Sequence, residues 1–360
     1  MDIEKKHQKQ TAGDNASQNQ LIGDHSSQTV IGEQYNVTVS GMPMPDIVRL
    51  TTTVSAEVTK LAVDMCTQVA ADKVRSKIHD LEQVWIPRIT KMEKAVDHLM
   101  DPKFQFMLRD ANITAAKSSR EEDLKMLSEL LACHIEKGSN LKIDAGINRA
   151  ISIVNEVDLD SLCALTVVLT ILHIAPNSRD INEGLATLNK LYNDLLMVDL
   201  PRDNDWIDNL NIVGAINLFS GHFNKMKDIL PIVLDGYICA GIQYGSKEHK
   251  QAIDLLKANG IPSGFLVPNV FLPEYLRLFT TGTSRNEPQL KPIIELYSKD
   301  KKLLETAKNN FMDMWDSYDI LKKVKDWFDD IPTFFRINSV GKALAQTYAK
   351  KCYPGFPDLI

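Results

Sequence analysis

Cys133 and His134 set a thiol beside an imidazole, the two groups that make a cysteine nucleophile and its base. Both fall in a helical run, and successive helix residues point about 100° apart, so they cannot act on each other. Catalysis there would need a distant third partner. His222 follows Ser220-Gly221 at a helix break, where a site can form, but nothing nearby in sequence converges on it. His173 lies in an apolar run and reads as a core histidine. Asp199, Asp203, Asp205 and Asp208 surround Arg202, without the alternation and closing glutamate of a calcium loop. Asp203 and Asp205 serve equally well as helix caps before Trp206. Asp326, Asp329 and Asp330 read as a solvated helix end.

Several familiar chemistries are absent from the sequence. There is no G-x-x-x-x-G-K-[ST] phosphate loop, no G-x-G-x-x-G after a strand, and no G-x-S-x-G elbow. Glu248-His249 lacks a second histidine four residues on. None of the eight histidines follows an arginine at the spacing used by helical ribonuclease toxins; Arg75 and His79 are one residue too close. We therefore assign no catalytic, cofactor-binding or metal-ligating residue and expect no cofactor. The question of enzymatic activity leans towards no.

The chain's class follows from its totals. Its 360 residues are 44% hydrophobic and 24% charged, with 41 basic against 47 acidic side chains and a net charge of −6. Mean hydropathy is −0.17. An acidic balance argues against constitutive nucleic-acid binding, which normally needs a basic stripe. No apolar run reaches the length of a membrane span; Ser161 to Ala175 reads as a buried helix. The polar first 30 residues exclude a secretory signal, and five scattered cysteines without C-x-x-C read as reduced thiols. The expectation is a cytoplasmic protein without a membrane span.

The elements that must position any site are mostly helices. The front is different: Thr11-Ala12-Gly13-Asp14-Asn15-Ala16-Ser17-Gln18 returns as Leu21-Ile22-Gly23-Asp24-His25-Ser26-Ser27-Gln28. Gly-Asp supplies turns, and the runs between suit short strands. Stacked copies would set Ser17 on Ser27 and Gln18 on Gln28. So few rungs cannot bury a core, so the segment is either a polar tail or completed by other chains. On the second reading Gly13, Asp14, Ser17, Gln18, Gly23, Asp24, Ser27 and Gln28 are oligomerisation residues.

From Asp46 to Ile86 there is no Gly or Pro, and Val54, Val58, Leu61, Met65, Val69, Val74, Ile78, Leu81 and Trp85 follow a near-heptad. That predicts one long stalk helix, or a hairpin turning near Asp72. Further on, Asp101-Pro102, Ser119-x-x-Glu122, Asp158, Ser178, Ser246 and Ser339 are helix starts. Residues 261–273 form a buried irregular connection or a short strand. Lys299 to Asp330 predicts a second long helix, with Leu304, Phe311, Met314 and Tyr318 on a coiled-coil stripe and Lys325 as its polar register residue. Trp327, Phe328, Phe334 and Phe335 suit a satellite core better than a membrane surface. The fold class is mainly α: a multi-helix body with long amphipathic helices and a short N-terminal β-repeat. Boundaries fall at 1–44 (repeat), 45–100 (stalk), 101–260 (bundle) and 261–360 (C-terminal helical subdomain).

Three stretches carry a resemblance. They are Asp101-Pro102-Lys103-Phe104-Gln105-Phe106-Met107-Leu108 with Leu124 to Leu131, then Asn148-Arg149-Ala150-Ile151 leading into Leu159 to Leu165, and finally Arg336-Ile337-Asn338-Ser339-Val340-Gly341-Lys342-Ala343. The chain resembles an uncharacterised family of bacterial helical proteins in which a Gln/Gly-Asp/Ser segment like residues 8–30 precedes the helices. Those motifs are core patterns, so the resemblance implies no reaction. Similar front segments precede bacterial conflict proteins, which implies, by association, antiphage defence.

The leading expectation is a non-enzymatic homo-oligomeric sensor or scaffold, triggered by a protein such as a phage product or working with an operon partner. The alternatives are a toxic nuclease or hydrolase with an unrecognised site, and a membrane-disrupting effector.

Overall fold

The computed structural model describes residues 52–61, 68–92, 97, 99–137, 140–284 and 287–359. The front repeat, with Gly13 to Gln28, lies outside the described residues, as do Met65 and Cys66. The described chain is mainly helical, with short strands inserted in its second half.

A helix over residues 52–61 is followed by α1 (Gln68–Ile89). Asp72 lies inside α1, which excludes a hairpin turn there, and the helix runs past Pro87 to end at Ile89. Its buried residues are Ala71, Ile78, Leu81, Trp85 and Ile89, whereas Val69 and Leu61 are exposed. Val58 is buried and Val54 packs on the main core, so the stripe faces inward at both ends and is interrupted at the exposed Leu61 and Val69. The buried face of α1 packs on α2 (Pro102–Lys117) and α3 (Glu121–Lys137).

Asp101 caps α2 by accepting from the Lys103 N–H, with Pro102 in the first turn. At the next corner Ser118, rather than Ser119, does the capping work. Its hydroxyl accepts from the Arg120 N–H and donates to Asp123. Arg120 Nε donates to Asp123 at 3.2 Å, and one terminal nitrogen donates to the Val154 and Val157 carbonyls at 3.0 and 2.7 Å. The corner is thereby tied to the end of α4 (Leu141–Ile153).

The centre is α5 (Leu159–His173), capped by Asp158 through the Ser161 N–H and buried from Ser161 to Ile171. His173, expected in the core, is exposed at its C-terminal end, because the apolar run outlasts the buried stretch by a turn. Next come α6 (Ile181–Leu195) and α7 (Asp205–Ile212). α6 starts later than expected: Asp180 is its cap, and Ser178 accepts from the Asp180 N–H. β1 (Ile216–Leu218) and α8 (Met226–Val233) follow.

β2 (Ile242–Gln243), β3 (Leu266–Asn269) and β4 (Leu272–Leu278) are antiparallel in the order β2-β4-β3. Residues 261–273, expected as an irregular connection or a short strand, supply β3 and the start of β4 in this small sheet. With α9 (Lys247–Ala258), capped by Ser246 as expected, and the short α10 (Lys291–Ile294), this sheet encloses a minor core of Ile242, Ala252, Leu256, Leu278, Leu290 and Ile293.

The second long helix is two helices, α11 (Lys301–Asp316) and α12 (Asp319–Asp329). Ser317 turns its hydroxyl back onto the Met314 carbonyl, and Trp315 Nε1 donates to the Leu321 carbonyl at 2.7 Å across the bend. The uninterrupted 3–4 spacing is consistent with one helix, but the two segments fold on each other. The stripe Leu304–Tyr318 therefore does not form one straight seam. β5 (Phe335–Ile337) pairs with β1 in the register Ile216↔Ile337, Asn217↔Arg336 and Leu218↔Phe335. The chain closes with α13 (Ser339–Cys352), capped by Asn338 rather than Ser339, and packed on α3, α4 and α5. One main core runs from Leu81 to Phe356, crossing positions 100 and 260.

A candidate anion-binding cavity

The residues singled out for chemistry fall in two places: Cys133 and His134 are buried together, while Asp203 and Asp330 line a cavity of about 210 Å³ with Arg202, Trp206, Trp327 and Pro332. His134 is buried, with Nδ1 against Asp144 of α4 and its ring stacked on Phe104 at 5.9 Å. Lys103 Nζ closes the other side of Asp144. Cys133 is buried, and burial pushes its thiol up to about 11; burial pushes Cys163 and Cys239 up to about 12. Cysteines 133, 163, 239 and 352 are free. His222 is exposed, with Nδ1 2.8 Å from the Pro332 carbonyl. Asp199 pairs with Lys323 at 2.9 Å, and Asp203 accepts from the Asp205 N–H in the turn before α7, whose cap position is Asn204. Among the described residues no His, Cys, Asp or Glu cluster suits a metal ion. Because a thiolate is the reactive form, an aromatic disulfide reagent at pH 8 should modify Cys133, Cys163 and Cys239 only as fast as the fold opens. Release of colour from these three positions before unfolding would contradict the burial.

The expected assembly stripe also disperses. Phe311 is fully buried in the main core, with Phe271 at 5.8 Å and Trp315 at 6.1 Å. Met314 and Tyr318 are half-buried against the same core, and Leu304 lines a cavity of about 340 Å³ beside Cys239 and Tyr297. Lys325 pairs with Asp316 across the α11–α12 bend. The aromatic end joins the main core: Phe328 and Phe335 are buried around Phe223, 5.5 and 4.9 Å away. Phe334, more exposed, meets Phe219 at 6.0 Å.

Elsewhere a different constellation forms. α4, β1, β5 and the first turn of α13 meet around a cavity of about 380 Å³, lined by Lys142, Ile143, Asn217, Arg336, Ile337, Asn338, Ser339, Lys342 and Leu359. Three side chains in that wall are cations and none is an acid, in a chain whose net charge is −6. Lys142, Arg336 and Lys342 form no ion pair with any described carboxylate, whereas Lys103, Arg120, Lys325 and Lys350 all do. Unpaired like charges gathered around a concavity repel one another and favour an incoming anion. The 340 Å³ cavity differs, since Lys299 there shares the wall with Asp235 and Glu295.

The local sequence explains how the wall is built. Antiparallel pairing sets Asn217 opposite Arg336, both exposed while Ile216, Phe335 and Ile337 are buried. Asn338 then turns the chain: its amide donates to the Gly214 carbonyl at 2.8 Å, and its oxygen accepts from Val340 and Gly341. α13 can start so close to its neighbours only because two positions lack a side chain. A Cβ on Gly341 would stand 2.2 Å from the Ala215 carbonyl oxygen, and one on Gly146 of α4 would stand 2.8 Å from Ser339. α4 brings its own first turn, with Asn140 accepting from the Lys142 N–H at 3.1 Å. Two helix starts thus border the cavity, each adding a few tenths to about 1 kcal/mol towards an anion.

None of these cavity residues was singled out as functional from sequence. Arg336 to Ala343 stood out as a motif, but Lys142 comes from the middle of the chain, and only folding joins them. Compared with known proteins, the model of a family described as “-like” matches residues 52–359. No curated protein and no solved structure matches.

Proposed function

We propose, for a chain that belongs over residues 52–359 to this uncharacterised family, a non-enzymatic sensor or scaffold whose helical body receives an anionic trigger in the basic cavity. The observation that carries this reading is the trio Lys142, Arg336 and Lys342, paired with no described carboxylate and lining one concavity with no acidic side chain among its described lining residues. Cys133 and His134 support it by lying buried away from His222 and the 199–208 acids, with His134 spent on Asp144, while Asp203 and Asp330 share a second cavity of about 210 Å³ with Arg202. Among the described residues no helix is long and apolar enough to cross a membrane. Release of α5 into a bilayer would strip the main core of its central helix.

The front repeat, residues 1–44, is the part we propose for gathering several copies. Antiphage defence is the proposed setting, on the resemblance of that segment to those ahead of bacterial conflict proteins. The anion reading is tested by thermal unfolding of the full chain in sulfate, pyrophosphate and citrate at matched ionic strength. Ligand binding to the native state raises the midpoint with concentration. The wild type should show a saturable rise with at least one of them, and Lys342→Glu should lose it. Equal curves for both proteins with every salt would refute the reading. Assembly is tested separately by light scattering of the full chain and of a chain starting at Asp46. A discrete oligomer that falls to monomer or dimer on truncation is the expected result, and two monomers would remove the repeat's role.

A further inference from the structure

Three features of the cavity wall say more about its ligand. The cations come from three different elements, α4, β5 and α13, so they approach from different sides rather than along one edge. A carboxylate offers two oxygens in one plane, whereas a phosphoryl group offers three around a tetrahedral centre and carries up to two charges. Arg336 adds a planar fork matched to phosphate geometry, Lys142 and Lys342 add point charges, and Ser339 adds a hydroxyl.

The volume is the second feature. About 380 Å³ exceeds what a lone inorganic ion fills and falls in the range of small-molecule sites. Ile143, Ile337 and Leu359 form an apolar part of the wall, so the ligand has a less polar body beside its charge.

The third feature is the origin of Leu359. It belongs to the segment after α13, which is strapped down by polar contacts. Asp358 meets Lys350 at 2.6 Å and Lys137 at 3.5 Å, Gln346 donates to Asp358 at 3.1 Å, and the Leu359 N–H donates to Gln346 at 2.5 Å. The Lys350 hydrogen bond holds the Asp358 carboxyl below its ordinary range. With Asp358 neutralised by its own lysines, its charge does not occupy the cavity cations.

Resting on the anion-binding reading above, we propose that the cavity binds a small phosphorylated molecule. Its phosphoryl group lies among Lys142, Arg336 and Lys342, its less polar body lies on Ile143, Ile337 and Leu359, and its arrival clamps the Leu359 segment. The test is calorimetric titration of the full chain with adenosine monophosphate, glucose 6-phosphate, inorganic phosphate, citrate and adenosine. Amide exchange at Leu359 is followed in the same samples. At least one of the two organic phosphates should bind tenfold or more tighter than inorganic phosphate or citrate, and adenosine should not bind. Whichever organic phosphate wins identifies a nucleotide or a sugar phosphate as the source. Leu359 exchange should slow when it binds, and Lys342→Glu or Arg336→Gln should weaken it at least tenfold without lowering the thermal midpoint of the ligand-free chain, since each relieves repulsion among the cations. Citrate binding as tightly as the organic phosphates would leave the anion reading standing and overturn the phosphoryl assignment. Inorganic phosphate matching them, or Leu359 exchange unaltered by a bound phosphate, would overturn the apolar seat and the clamp. Binding of none of these probes would overturn the phosphoryl proposal, and the anion reading falls with it when sulfate and pyrophosphate also leave the thermal midpoint unmoved.

Discussion

Arg120→Met should cost about 3–5 kcal/mol of stability, the range for stripping one partner from a buried ion pair. Asp123 is 1% exposed and has Arg120 as its counter-ion, with Ser118 as its other partner. The same guanidinium nitrogen spends its two hydrogens on the Val154 and Val157 carbonyls, so its 2.7 Å approach to Asp123 Oδ1 is Coulombic. Methionine keeps the stem's apolar packing and removes only the head, which isolates the electrostatic loss. Urea unfolding measures it, and a loss under 1 kcal/mol would mean that water replaces the guanidinium. Replacing Asp123 by Leu in the same chain should return part of the loss, because the stranded charge is gone. A double-mutant cycle should give a coupling of roughly 1–3 kcal/mol. Full recovery is not expected, since two carbonyls still lack their donor. The knot also fixes the end of α4, whose first turn carries Lys142 to the cavity.

Gly341→Ala should cost about 2 kcal/mol net and weaken anion binding as well. Alanine gains about 1 kcal/mol in helix propensity over glycine. Against that stands a Cβ 2.2 Å from the Ala215 carbonyl oxygen and 2.9 Å from Ile337 Cγ2. Overpacking costs about 1–3 kcal/mol when side chains can give way, and here the nearest atom is backbone. That carbonyl also accepts from the Asn338 N–H at 3.3 Å, so moving it displaces the turn that presents Ser339 and Lys342. Gly264→Ala is the control, because a Cβ there meets nothing within 4 Å. Its stability should change by less than about 0.5 kcal/mol. Equal midpoints for the two variants would show that α13 has slack to retreat, and the close approach would then not position the cavity.

How much of this was legible before folding can be argued from particular residues. Asp101-Pro102, Asp158 and Ser246 announce their helices because a cap is a local event, one side chain bonding a backbone N–H two or three residues on. The apolar run after Leu159 announces a buried helix for the same reason: burial on all sides needs no partner to be named. Where two local signals compete, sequence reasoning fails. Ser118 and Ser119 are both plausible caps, and only the demand of buried Asp123 selects the first. Ser178 and Asp180 compete likewise, and so do Asn338 and Ser339.

The coiled-coil stripe failed for a deeper reason. Steps of three and four continue across Ser317 because both helices bury one face in the same core, so periodicity carries no mark of the bend. What folds them together is the indole hydrogen bond, the Lys325–Asp316 pair and the burial of Trp315 and Leu321, all tertiary facts.

By itself the sequence determined a mainly helical chain with several exact helix starts and no familiar catalytic motif. The folded chain alone decided which charges stay unpaired. Lys103 and Lys142 look alike in sequence, yet one is spent on Asp144 and the other lines a cavity with Arg336 and Lys342. Charge pairing depends on distances of a few ångströms between residues far apart in the chain, and those distances exist only once α4 and α13 have packed.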